Sequence, residues 1–261
     1  MRSKILLSIL LVTLIFSVSV SAKEEIFSLV DEEGNIITKT SLMLSEGDIY
    51  ISADNSEYEV IGKEDDKFKV HKKGTVDLSA YLTYPIEIQT QGGKPIIGIY
   101  HTHSDESYAP GEPSRPYPGQ IYQVGKALKD ALEEHGFQVD WSQANHNPHD
   151  GAAYTRSRDT AAKLLKNNPI TVIDVHRDAV PDPEFYSTEI EGQSAAKVRI
   201  VTGKQNQNRT GNFEYAKALK AKADNNYPGI IEGIFWAKGN YNQDLGPRMI
   251  LLEFGTHVLP L

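Results

Sequence analysis

The stretch Ile170-Thr171-Val172-Ile173-Asp174-Val175 constrains the fold more than any other. Only Asp174 in it is not β-branched, and a short, almost wholly apolar run of this kind reads as a central strand buried on both faces of a sheet. It ends abruptly at His176-Arg177-Asp178. Two other apolar runs end the same way. Ile96-Ile97-Gly98-Ile99-Tyr100 opens into His101-Thr102-His103-Ser104-Asp105-Glu106-Ser107-Tyr108, and Met249 to Leu252 ends in Glu253-Phe254-Gly255. Strands that deliver ionisable side chains at their carboxyl ends are a usual way for an α/β fold to build a site.

Helical periodicity lies between these strands. Ile121, Val124, Leu128 and Leu132 repeat at helical spacing and Gly136 stops them; Ala152 to Lys166 and Gly211 to Asn225 predict two further helices. Phe137 to Trp141 and Ala195 to Val201 alternate as strands, the latter with Arg199 opposite Val198 and Ile200. The predicted class is α/β, with a central, mostly parallel sheet flanked by helices. Before it, residues 24–90 break into short strands (25–30, 36–40, 48–52, 57–61, 68–72) separated by turn signals, which predicts a small β module. Residues 23–90 carry a net charge of -8 and residues 91–261 a net of -2, and this asymmetry places a domain boundary near Gln91-Gly92-Gly93. Tyr81, Tyr84, Pro85 and Ile86 are expected to pack across it.

The N-terminus reads as a targeting segment. Arg2 and Lys4 precede an apolar run to about Val20, and Val20-Ser21-Ala22 predicts cleavage after Ala22, leaving a mature chain outside the cytoplasm, at the cell wall or the outer face of the cytoplasmic membrane. There is no cysteine, so disulfides, thiolate nucleophiles and thiolate-bound metals are excluded. A formal charge of -8 argues against nucleic acid as a partner.

His103, Glu106 and His176 suit a catalytic zinc, since two imidazoles and a carboxylate leave one position for water. Glu253 is the candidate base and acid, with Arg177 or Arg156 as a charge partner. His101, two residues from His103, is an alternative ligand or a supporting group, and His257 is a candidate for steadying negative charge. His146 and His149 read as plain loop histidines. Ser104 or Ser107 could join a histidine in a triad on paper, but no Gly-x-Ser-x-Gly elbow supports one.

The run Ile99 to Tyr108, with Asp174-Val175-His176-Arg177-Asp178, Tyr241-Asn242-Gln243-Asp244-Leu245 and Leu251-Leu252-Glu253-Phe254-Gly255, resembles four signatures of the stage II sporulation protein P family in their order, over about residues 92–255. The family comprises peptidoglycan hydrolases related to zinc-dependent N-acetylmuramoyl-L-alanine amidases. The resemblance implies zinc at His103, Glu106 and His176, catalysis at Glu253, and cleavage between N-acetylmuramic acid and L-alanine. It also implies endopeptidase action on cross-links and a role in thinning septal peptidoglycan. The partners it implies are a lytic transglycosylase, stage II sporulation protein D, and a membrane anchor protein. The chain departs from the family pattern after Gly255, where Thr256-His257 stands in place of a second glycine and a polar tail.

Overall fold

The computed structural model describes residues 25–84 and 93–261. The cleavage site after Ala22, Pro85, Ile86, Gln91 and Gly92 lie outside the described residues. Five strands come first: β1 (Phe27–Val30), β2 (Ile36–Thr40), β3 (Ile49–Ser52), β4 (Ser56–Glu64) and β5 (Lys67–Thr75). After a 3-10 turn (Ser79–Thr83) follow β6 (Ile96–Tyr100), α1 (Ile121–Glu134), β7 (Gln138–Trp141), α2 (Ala153–Leu165) and β8 (Thr171–Asp178). A hairpin of β9 (Ser187–Ile190) and β10 (Gln193–Ala196) precedes β11 (Val198–Gly203), α3 (Arg209–Asn226), β12 (Ile231–Ala237) and β13 (Met249–Thr256).

Among the described residues, eleven strands form one sheet in the order β2-β1-β5-β4-β3-β12-β11-β13-β8-β6-β7. The expected mostly parallel sheet is corrected: it is mixed. β7, β6, β8 and β13 run parallel, as do β11 and β12, but β13 and β11 meet antiparallel. The physical reason lies in the connections. Helices α1, α2 and α3 serve parallel crossovers, whereas β3, β4 and β5 are joined by short turns that permit only antiparallel neighbours. The N-terminal strands continue the same sheet, because β3 pairs with β12 over Ile49–Ser52.

β8 is buried along its whole length, as its composition demands. Each Val or Ile so buried contributes about 1.5–3 kcal/mol. Ile97, Ile99, Ile173 and Val175 pack on the face covered by α1 and α3, while Tyr100, Val172 and Met249 pack on the opposite face with Ala161 and Leu164 of α2. A second apolar cluster joins Leu29, Tyr50 and Phe68 of the N-terminal strands to Val201, Phe235 and Leu251 of β11, β12 and β13. Tyr81 packs on α3, its hydroxyl donating to Glu214 Oε2 at 2.5 Å. No helix among the described residues is long and apolar enough to cross a membrane.

Candidate active site at the strand ends

Because β6, β8 and β13 run parallel, their carboxyl ends share one edge of the sheet. The register places Glu253 directly beside His176, and Tyr100 beside Asp174. A cleft of about 630 Å³ opens there, lined by His103, Glu106, His176, Arg177 and Glu253, and by Tyr154, Tyr241 and His149. Its far wall is made by Ser41, Leu42 and Met43, from the turn after β2, with Lys238 to Asn240 after β12. The N-terminal strands therefore build part of the cleft.

The structure brings five of the sequence-predicted residues together. His176 lies between two carboxylates: Nδ1 is 3.4 Å from Glu106 Oε1, and Nε2 is 2.9 Å from Asp174 Oδ1. The second contact is close but lacks hydrogen-bond geometry, so Nε2 is not satisfied by it. Burial disfavours the His176 cation, but Asp174 and Glu106 outweigh burial and hold its pKa well above the ordinary value. Asp174 is itself held by the Thr102 backbone N–H at 2.8 Å and its hydroxyl at 2.6 Å. Glu106 accepts the Arg177 backbone N–H at 3.0 Å, and the Arg177 guanidinium donates to Pro113 O at 2.8 Å.

His103 stands with its ring centroid 5.1 Å from that of His176, at 82° between planes. Its Nδ1 is buried without a hydrogen-bond partner, and burial pushes its pKa well down. Glu253 Oε2 is likewise buried without a partner, and burial raises that carboxyl well above its usual range. Unsatisfied buried polar atoms are uncommon in folded proteins and mark sites that a further group would complete.

His101 and His103 point to different places, although extended backbone could have put them on one face. The strand ends at Tyr100, and the chain turns. The His101 ring lies under α1, where Gly125 leaves room: a Cβ there would sit 2.5 Å from the imidazole. Nδ1 of His101 is 3.1 Å from Val175 O, and Nε2 accepts from Trp141 Nε1 at 3.0 Å. Both ring nitrogens are engaged away from the cleft, and burial lowers the pKa to about 4. His257 does not line the cleft. Its backbone N–H donates to Asp178 O at 3.1 Å, and its carbonyl accepts from Ala109 at 2.8 Å, so the segment after Gly255 braces the loop that follows β6.

Other readings resolve into architecture. Arg156 binds the loop at His146 O and Asp150, not Glu253. His146 is buried, with Nδ1 2.7 Å from His101 O and Nε2 2.9 Å from Thr160 Oγ1. Ser104 Oγ accepts from His146 N–H, and Ser107 Oγ donates to Asp105 O, so neither meets a histidine ring as a nucleophile would. In the Tyr241-to-Leu245 signature, Asn242 donates to Tyr154 O and Ser157 Oγ, and Asp244 takes a two-pronged ion pair from Arg158 at 2.8 and 2.6 Å. That lattice presents Tyr241 to the cleft. Sequence reasoning missed Asp174 and His149. The signal for the first was a carboxylate inside an otherwise β-branched strand.

Among the described residues, no group of three or more His, Asp or Glu side chains is arranged to hold an ion. The imidazole nitrogens and carboxylate oxygens of the cleft are nevertheless donor types that suit a divalent metal. His103 Nδ1 lacks a partner, Glu106 and His176 face each other at a distance longer than a good charge-assisted bond, and Asp174 sets a carboxylate 2.9 Å from His176 Nε2 without hydrogen-bonding it.

Fold and site thus define a mixed α/β protein with a histidine- and carboxylate-lined cleft at the carboxyl edge of its sheet. The chain belongs to the stage II sporulation protein P family, whose model matches residues 22–258 and so takes in the N-terminal strands as well. It is 34% identical over 189 residues to stage II sporulation protein P of Bacillus subtilis (strain 168), covering 64% of this chain and 47% of that protein. The chain spans about half the length of that relative. Among solved structures it is similar to N-acetylmuramoyl-L-alanine amidase AmiC2 of Nostoc punctiforme, at 14% identity over 64% of this chain and 82% of that one, with a TM-score of 0.36. It is also similar to the CwlD amidase from Clostridioides difficile in complex with the GerS lipoprotein, at 14% identity over 63% and 83%, with a TM-score of 0.39.

Proposed function

We propose that the protein is a peptidoglycan hydrolase of sporulation, a zinc-dependent N-acetylmuramoyl-L-alanine amidase that cleaves the bond between N-acetylmuramic acid and L-alanine. The observation that carries this reading is the pairing of Glu253 with His176 across β13 and β8, in a cleft shared with His103 and Glu106. Family membership supports it, because the match over residues 22–258 takes in all four of these positions.

His103, Glu106 and His176 would hold the zinc, which when bound supplies Lewis-acid polarisation of the scissile carbonyl and a lower pKa for water. Asp174 orients His176 from behind. Glu253 Oε2, buried and without a hydrogen-bond partner, accepts the proton of the attacking water and returns it to the leaving alanine nitrogen. Arg177, anchored on Pro113 and lining the cleft, sets positive charge near the carbonyl oxygen. The wall of Ser41, Leu42 and Met43 faces this machinery and would bound the bound chain.

The test is mass spectrometry of purified peptidoglycan after digestion by the zinc-loaded protein. The expected result is intact glycan with free L-alanine amino termini, abolished by Glu253→Gln. No release by the wild type, cuts confined to the stem or cross-link, or full activity in Glu253→Gln would each overturn the assignment.

A further inference from the structure

The loop between β7 and α2 carries His149, which in sequence looks like an ordinary loop histidine. In the structure its ring lies flat on that of His103, with centroids 3.8 Å apart and planes 2° from parallel. Its Nδ1 is 3.0 Å from Asp105 Oδ1, and it lines the cleft.

The loop around it is pinned at several points. His146 N–H donates to Ser104 Oγ at 2.9 Å, and its ring spans His101 O and Thr160. From α2, Arg156 donates to His146 O at 2.6 Å, and to Pro148 O and Asp150 Oδ1 at 2.5 Å each. The residues on either side of His149 are therefore held by the first signature segment and by α2. The other sides of His103 are set by edges: Tyr154 at 5.7 Å and 84°, and His176 at 5.1 Å and 82°. A flat ring against its face and two edges beside it leave the His103 imidazole little freedom to turn. A ligating group whose ring direction is set in advance binds more tightly, because no ordering cost remains to be met on binding.

We propose that His149, held by Asp105, is a positioning residue that fixes the ring of His103 and so strengthens the site's grip on a divalent metal. This rests on the reading of His103 as a metal ligand, but not on which bond the enzyme cuts. The test uses the full chain and zinc alone, with affinity measured by competition against a chromophoric chelator. Cobalt(II) absorption spectra follow the geometry of the site. His149→Ala is expected to weaken zinc binding about 10–100-fold and to change the cobalt spectrum. His149→Phe keeps a flat ring on His103 and is expected to bind more tightly than His149→Ala. Circular dichroism of the metal-free proteins checks folding, and if His149→Ala does not fold, His149→Gln replaces it with the same expectation. Wild-type affinity in a folded His149→Ala or His149→Gln overturns the positioning role and leaves the metal reading standing. Failure of the wild type itself to bind zinc overturns both.

Discussion

Two clusters of buried charge lie side by side at this edge of the sheet, and they are built on opposite principles. In the first, the fully buried Arg199 donates to Asp178 Oδ2 at 2.5 Å, Glu232 Oε2 at 2.6 Å and Thr38 Oγ1 at 2.8 Å. Tyr50 and Thr38 complete Glu232; Tyr186 and Ser41 complete Asp178. In the second, His103 Nδ1 and Glu253 Oε2 are equally buried and have no hydrogen-bond partner. The first cluster ties the N-terminal strands to β8, β11 and β12. The second is organised to meet something from outside the chain. A satisfied buried ion network holds architecture, whereas an unsatisfied one with shifted pKa values marks chemistry.

The sharpest way to break this contrast is Glu253→Gln. Peptidoglycan turnover is expected to fall about 10²–10⁴-fold, with urea stability unchanged or raised, since the change removes a buried carboxylate with an unpartnered oxygen. A parallel loss of stability would show that Glu253 belongs with the first cluster. Arg199→Met should do the reverse, costing about 3–5 kcal/mol in urea unfolding because it strands Asp178 and Glu232. A neutral result would show that the network does not hold the fold. Thr38→Val tests the link across the sheet alone. It leaves Glu232 and Arg199 each one bond short and should cost about 1–3 kcal/mol by the same measurement.

The gentlest perturbation is pH. Burial alone would raise the Glu232 pKa, but Arg199, with Thr38 and Tyr50, outweighs it and holds the carboxyl below its ordinary 4.5. A folded-state pKa below the unfolded one means that this stabilisation is full above pH 4.5 and is lost as pH falls through the lower folded value. Urea titrations down the acid range should show this loss in the wild type and lack it in Arg199→Met. Identical acid dependence in both proteins would remove Glu232 from the first cluster.

The same residues show what could be seen in the chain and what could not. β8 was legible because its β-branched residues have one use, and the three helices because their apolar periodicity is regular. β12 was not, since Glu232 and Gly233 interrupt Ile231 to Ala237 and look like a polar break. Both interruptions are answered by distant residues. Glu232 meets Arg199, and a Cβ at Gly233 would lie 2.5 Å from the ring of Tyr50. Arg199 misled for the same reason: alternation put it on a polar face, and the structure buries it completely. His149 gave no local signal, because its meaning depends on lying over His103, 46 positions earlier in the chain.

By itself the sequence determined the apolar strands that carry the site, β6, β8 and β13, and that all three end in ionisable groups. Apolar patterning and β-branching act locally, so they can be read locally. Only the tertiary structure decided that β13 lies parallel to β8 but antiparallel to β11, that the N-terminal strands complete the cleft, and that His103 faces it while His101 turns under α1. Those outcomes depend on strand order and on whether each buried polar atom finds a partner, and both are settled by residues far apart in the chain.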